Sequence, residues 1–176
     1  MAGVPDIRLA FADGSSESFL SVYESTKTRL HAYAIRLAGE RDLAADAVQE
    51  SYVRLYQNAG TITSPAVVAS WLFSTARNFL LNHQRLERRF APAEEDPTAM
   101  ADPAPEPYEA EDQRAYLRRL VDALGPLHRE AILLREYEGM SYGEIAKVTG
   151  VPVSTVKMRL FKARKALAER FEKRGR

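Results

Sequence analysis

Between residues 91 and 113 this chain carries five prolines, eight carboxylates, no lysine or arginine, and almost no large apolar side chain. Such a stretch cannot bury enough surface to offset the entropy lost on ordering it. It therefore reads as a flexible acidic linker, and whatever folds must fold on either side of it. That divides the 176 residues into an N-terminal arm (1–16), a first domain (17–90), the linker (91–113) and a second domain (114–176). The charges divide the same way. Ten basic residues stand against nine acidic over 1–90, and fifteen against seven over 114–176, so a neutral front and a basic tail flank the acidic middle.

Both flanks have helical periodicity and neither holds a convincing strand pattern, which predicts an all-α fold of two small helical domains. In the first domain Phe19, Leu20, Tyr23, Leu30, Tyr33, Ala34 and Leu37 recur at three- and four-residue steps, and Gly39 marks the helix end. Asp42 is placed to cap a second helix running to about Tyr56, with Val48, Tyr52, Leu55 and Tyr56 as its apolar stripe. Asn58 to Pro65 breaks the pattern. Ser64 is placed to cap a third helix starting at Pro65, whose apolar residues are Val68, Trp71, Leu72, Ala76, Phe79 and Leu80. It ends in Arg85, Arg88 and Arg89, cations suited to a helix C-terminus. In the second domain Tyr116, Leu117, Leu120, Val121 and Leu124 lead to Gly125-Pro126. A further helix covers His128 to Glu138, with Ile132, Leu133 and Tyr137 inward and Gly139 as its stop.

The tail is the most specific segment. Ser141 and Glu144 have capping-box spacing. Ile145, Ala146 and Val148 supply a buried side, Thr149-Gly150-Val151 a tight turn, and Pro152 or Ser154 the start of a last helix. There Val156, Leu160, Ala163 and Leu167 form one inward stripe, while Thr155, Lys157, Met158, Phe161, Lys162 and Lys165 lie off it. Two short helices about a turn, the second carrying only positive charge before Glu169, are the layout of a helix-turn-helix that inserts its second helix into the DNA major groove. Lysines and arginines there suit phosphates or guanine acceptors, and Thr155 or Met158 suits thymine methyls.

Two stretches of the first domain carry polar constellations. Asp46, Gln49, Glu50 and Arg54 recur at helical steps, and Glu50 and Arg54 have ion-pair spacing. Further on, Arg77, Asn78, Asn82 and Arg85 intersperse with Trp71, Phe73 and Phe79, the mixture of cations and rings that single-stranded nucleic acid needs. No Gly-rich phosphate loop, nucleophile–base set or metal cluster is visible. There are no cysteines, and His31, His83 and His128 lack ligand spacing. No cofactor, no catalysis, no secretory signal and no membrane span is expected, and a reducing, cytoplasmic setting fits.

These blocks, in this order, resemble a bacterial sigma factor of the sigma-70 superfamily, in its compact extracytoplasmic-function group. Asp46, Gln49, Glu50, Tyr52 and Arg54 stand as in its region 2 helix, and Trp71-Leu-Phe with Ala76-Arg-Asn78 as in the helix after it. Glu138-Gly, Ser141-Tyr, Glu144-Ile-Ala146 and the run from Val151 to Leu167 stand as in region 4. The resemblance covers roughly 17–90 and 114–170. It implies a factor that gives core RNA polymerase its promoter specificity, with the β′ clamp helices, the β flap and promoter DNA as partners and an anti-sigma factor as a further candidate. It implies that Asp46, Gln49, Glu50 and Arg54 face polymerase. The loop with Gly60, Thr61, Thr63 and Ser64, and the helix with Arg77, Asn78, Asn82 and Arg85, would open and read the −10 element. Ser154, Thr155, Lys157, Met158, Arg159, Phe161, Lys162 and Lys165 would read the −35 element. The acidic linker would thread the channels of polymerase. The chain departs from the family pattern at Leu43-Ala-Ala-Asp46, where more acid is usual, and at Asn82, Ser154 and Met158, where Asp, Gly and Ser are common. The alternative is a free-standing helix-turn-helix regulator binding operators as a dimer.

Overall fold

The computed structural model describes residues 16–58, 65–88 and 112–173. These hold seven α-helices and one π-helical turn, with no strand element among the described residues. The arm up to residue 15, the loop with Gly60, Thr61, Thr63 and Ser64, and the linker up to residue 111 lie outside them. The contacts divide the chain into two compact units, one up to Pro92 and one from Ala93, apart from Lys147–Thr149, which group with the first.

The front unit is three mutually packed helices: α1 (Ser16–Ala38), α2 (Arg41–Gln57) and α3 (Pro65–Arg88). The face of α2 between its neighbours is made of Ala44, Ala47, Ser51 and Leu55. These small residues recur at steps of three and four, so α1 and α3 approach closely on either side. Ser51 stays satisfied there by donating from Oγ to the Ala47 carbonyl at 2.7 Å. Against this face pack Val22, Leu30, Tyr33, Ala34 and Leu37 of α1 and Val68, Leu72, Phe73, Ala76 and Leu80 of α3. The Tyr33 and Phe73 rings meet edge to face, centroids 5.0 Å apart. Gly39 takes φ +80° after α1, and its N–H donates to the Ile35 carbonyl, so the helix ends at the stop expected from sequence.

Expectations for six residues of this unit need correction. Asp42 is not the cap of α2. Glu40 occupies that position with no side-chain cap bond, and Asp42 sits in the first turn, where its charge still suits the helix dipole. Tyr56 is 70 % exposed and Leu20 57 %, so neither belongs to the core. Val22 and Thr26 are the buried residues near the start of α1. Phe73, expected as a possible stacking ring, is core, whereas Trp71 and Phe79, expected at apolar core positions, are only half-buried.

The rear unit consists of α4 (Gln113–Asp122), α5 (Pro126–Ile132), a π turn (Leu133–Tyr137), α6 (Tyr142–Thr149) and α7 (Val153–Lys173). Helices α4 and α5 both pack against α7. Tyr116, Leu120, Val121 and Leu124 are buried from α4 and its end, and Ile132, Leu133 and Leu134 from α5 and the π turn. Val156, Leu160, Ala163 and Ala166 are buried from α7. Gly125 precedes α5, with Pro126 at its first turn, where a missing N–H costs nothing. The π turn explains two misplaced residues. The Glu138 N–H reaches back to the Leu133 carbonyl, five residues away, so the wider turn rotates the side chains around it away from the α-helical register. Leu134 becomes fully buried and Tyr137 is 47 % exposed, against the expectation that Tyr137 points inward. Leu117 is likewise exposed.

Candidate nucleic-acid and partner interfaces

The helix-turn-helix is built as its residues require. Ser141 accepts from the Glu144 N–H at 3.2 Å, and the Ser141 N–H donates to Glu144 Oε2 at 2.7 Å. This closed capping box satisfies two orphan donors of α6. Ile145 and Val148 are buried, Ala146 only partly. Gly150 then takes φ +69°, the left-handed conformation that lets the chain reverse at no steric cost. Helix α7 begins one residue after Pro152, the Val156 N–H donating to the Pro152 carbonyl.

On α7 the sequence-predicted readers divide by exposure. Ser154, Lys157, Met158, Phe161, Lys162 and Lys165 are exposed, and Thr155 and Arg159 are half-buried. Phe161 is 68 % and Met158 50 % exposed, unusual for large apolar side chains on a helix otherwise anchored by a full apolar stripe. Lys165 also lies 3.9 Å from Glu169, a solvated pair of little energetic weight. One ion pair ties the helix to the π turn. Arg164 donates from Nη2 and Nε to Glu136 Oε1 of the π turn, at 2.6 and 3.2 Å. Buried His128 of α5 lies close enough to feel Lys162 and Arg159. Burial first, then those two cations, lower its pKa below the usual imidazole value, so it stays neutral behind the basic face.

In the front unit Asp46, Gln49 and Arg54 are exposed and Glu50 half-buried. Arg54 Nε donates to Glu50 Oε1 at 2.6 Å, the i,i+4 pair anticipated from spacing and worth a few tenths of a kcal/mol. The row is thus a pre-oriented polar edge. Beside it lies a feature that sequence reasoning missed, an open, mainly apolar groove of about 590 Å³ between α1 and α2, whose walls include Phe19, Tyr23, Gln49, Val53 and Tyr56. Its signal is present in the rings at helical steps, which periodicity alone assigns to the core. Tyr56 contacts the Phe19 ring edge-on at 5.9 Å while staying largely open to solvent.

On α3, Asn78, Asn82 and Arg85 are exposed at steps of four and three, one continuous stripe that half-buried Trp71 joins two turns earlier. Arg77, about 100° around the helix from Asn78, is half-buried and does not share that stripe. Gly60, Thr61, Thr63 and Ser64 fall outside the described residues. Among the described residues no cluster of His, Cys, Asp or Glu is arranged to hold a metal, and no helix is long and apolar enough to cross a membrane.

Comparison with known proteins gives both units relatives. The family signature described as "Sigma-70 region 2" matches residues 22–90, and that described as "Sigma-70, region 4" matches 114–167. ECF RNA polymerase sigma factor SigL of Mycobacterium tuberculosis is 35% identical over 154 residues, covering 84% of this chain and 85% of SigL. ECF RNA polymerase sigma factor SigE of Mycolicibacterium smegmatis is 31% identical over 146 residues, 80% of this chain but 56% of SigE. Among solved structures, the sigma factor RpoE in complex with the anti-sigma factor NepR from Bartonella quintana matches with a TM-score of 0.69 at 25% identity, covering 89% of this chain and 98% of RpoE. CnrH, solved with the cytosolic domain of CnrY, shares the fold with a TM-score of 0.64 at 21% identity over 93% of each chain.

Proposed function

The chain belongs to the sigma-70 family of RNA polymerase sigma factors, in its extracytoplasmic-function group, and from that membership we propose how its surfaces divide the work of promoter-specific initiation. The region 2 match over residues 22–90 of the front unit removes the reason to treat the protein as a free-standing helix-turn-helix regulator. The polar edge of α2, with Asp46, Gln49, Glu50 and Arg54, docks on the β′ clamp helices of core polymerase, and the aromatic groove beside it, through Val53 and Tyr56, extends that contact with apolar area. The α3 stripe of Asn78, Asn82 and Arg85, flanked by Trp71, tracks the −10 strand once it is single. Rings stack on bases and the arginine pairs with phosphate, and an extruded base has polar partners there. The loop with Gly60, Thr61, Thr63 and Ser64 borders that strand. The exposed face of α7 enters the major groove of the −35 element.

Each unit binds one element weakly. The acidic linker, 91–113, joins the two binding events into one by effective concentration and threads the polymerase channels, where its carboxylates stand in for nucleic acid. The factor itself is not a catalyst; bond formation belongs to polymerase, and the chain acts in the cytoplasm where polymerase and DNA are. The likeness to RpoE, solved with the anti-sigma factor NepR, supports an anti-sigma protein as a further partner.

The observation that carries this reading is the order of the two family signatures, region 2 then region 4, each on its own helical unit. The test is core polymerase with and without the full chain on a genomic DNA library, with transcript 5′ ends mapped. New, discrete start sites sharing two elements at fixed spacing are expected. Unchanged start sites, or no retention of the chain on core, would overturn it. Gln49→Ala and Glu50→Ala are expected to lose core retention with helix content unchanged.

A further inference from the structure

Helix α7 offers more than a basic face. At about 3.6 residues per turn, Ser154, Met158, Phe161 and Lys165 align along one crest, opposite the buried stripe of Val156, Leu160 and Ala163. Lys157 lies to one side of this crest and Lys162 to the other, both exposed. The middle of the crest is therefore apolar and its two shoulders are cationic. Phe161 is 68 % and Met158 50 % exposed, so neither contributes much to holding the unit together. Their chemistry is free for whatever this crest meets.

We propose that Met158 and Phe161 read the C5-methyl groups of adjacent thymines, making the −35 preference of this factor an apolar readout. The proposal deepens, and rests on, the assignment of α7 to the −35 major groove. The shoulders would meet the phosphates on the two walls of the groove, which centres the crest over base edges. Of the four bases only thymine shows an apolar group in that groove; guanine, adenine and cytosine present donors and acceptors. Phenylalanine has no polar atom and methionine only a weak thioether acceptor. Pressed onto the other bases, both would dry polar edges without replacing their hydrogen bonds, which is unfavourable. The spacing also fits. Three residues of helix advance about 4.5 Å, close to the roughly 3.4 Å between successive bases of one strand, so the two side chains cover neighbouring base pairs.

Replacing thymine by deoxyuridine removes only the methyl and leaves every hydrogen-bonding group in place, so it isolates this contact. Holoenzyme rebuilt from core polymerase and the full chain is first used to enrich −35 sequences from a duplex pool randomised upstream of a fixed −10 element. Each thymine of the enriched motif is then replaced singly by deoxyuridine and the affinity measured. At one or two adjacent positions the substitution is expected to weaken binding about fourfold, the factor one buried methyl-sized group supplies. Met158→Ser should abolish the loss at one position and Phe161→Ala at its neighbour. Both residues are exposed, so both variants should fold. A motif with no uracil-sensitive thymine, or with sensitivity untouched by both variants, would overturn the proposal while leaving α7 as the −35 reader; it would point to a protein partner on the crest instead. Failure to enrich any upstream motif would overturn the −35 assignment itself, and this proposal with it.

Discussion

The hydroxyl oxygens of Tyr52 and Thr26 lie 2.7 Å apart inside the front unit, a buried bridge between α2 and α1. Thr26 also reaches the Val22 carbonyl, its Oγ1 donating at 2.6 Å. Since that hydroxyl has a single proton, spent on Val22, the Tyr52 phenol is the donor in the bridge. Helix α2 carries the polar edge assigned to polymerase, so this hydrogen bond fixes the rotation of that edge relative to α1.

Tyr52→Phe removes the donor but leaves Thr26 satisfied through Val22, so a cost of about 1 kcal/mol is expected. The phenol's pKa is pushed up to about 12, chiefly by burial. The raised value fixes the sign of the pH effect. Below the ordinary value near 10 both folded and unfolded phenols are neutral and the stabilisation is complete; between about 10 and 12 the unfolded chain ionises first and stability falls. Urea midpoints for wild type and Tyr52→Phe at pH 9 and 11.5 check this. The wild type should lose more over that interval, because the variant lacks this one titration.

How much of this was legible in the sequence differs by kind of feature. Local signals held. The stops at Gly39, Gly139 and Gly150 and the Ser141–Glu144 capping box are set by backbone chemistry within a few residues, and they appear at the expected positions. The facing of aromatic residues did not hold. Helical periodicity shows that Phe19, Tyr23, Tyr52 and Tyr56 share sides of their helices, but not that these rings line an open groove. That is decided by the small Ala44, Ala47 and Ser51 face, which draws α2 inward on another side. Tyr137 failed for a separate reason, a π turn that no spacing rule announces. For the candidate surfaces, the exposure of Lys157, Met158, Phe161, Lys162 and Lys165 on α7 and the Glu50–Arg54 pair were legible because each lies on one helix. Arg77 and Phe73 were misgrouped with the Asn78 stripe although helical geometry alone puts both off it, and packing adds that Phe73 is buried.

That separation makes a contrast on α3. Phe73 is 1 % exposed and locked against Tyr33, so Phe73→Ala should cost about 3–5 kcal/mol and unfold or loosen the front unit. Trp71, half-buried on the Asn78 stripe, should tolerate alanine with a much smaller loss. Trp71→Ala should instead weaken binding of holoenzyme to single-stranded −10 DNA, by about 1–3 kcal/mol if a base stacks there. Thermal unfolding and filter binding separate the two roles. Equal loss of stability in both variants would make Trp71 a core residue.

His128 gives the rear unit a response to acid. Its folded-state pKa lies below the usual 6.5, through burial first and then Lys162 and Arg159. Above pH 6.5 the imidazole is neutral folded and unfolded, and the packing of α5 on α7 is at full strength. As pH falls below 6.5 the unfolded chain takes up the proton more readily, and stability declines. Circular-dichroism melts at pH 7.5 and 5.5 should show a larger drop in Tm for wild type than for His128→Gln. The difference between pH values is the readout, so a uniform effect of the variant on packing does not confuse it.

The shoulders of α7 make the last prediction. Lys157 and Lys162 are exposed, so replacing them by alanine leaves the fold nearly unchanged, within about 0.5 kcal/mol. If each meets a phosphate, each loss releases about one fewer counterion on binding. The plot of log affinity against log salt should then become shallower by about 0.9 per lysine, and affinity should fall for every −35 sequence alike. Met158→Ser should do the reverse, changing sequence preference while keeping the salt slope. Titrations of reconstituted holoenzyme on −35 duplexes at several salt concentrations distinguish the two. A slope unmoved in the double lysine variant would mean that these shoulders do not meet the phosphates, and that α7 lies in the groove on another face or outside it.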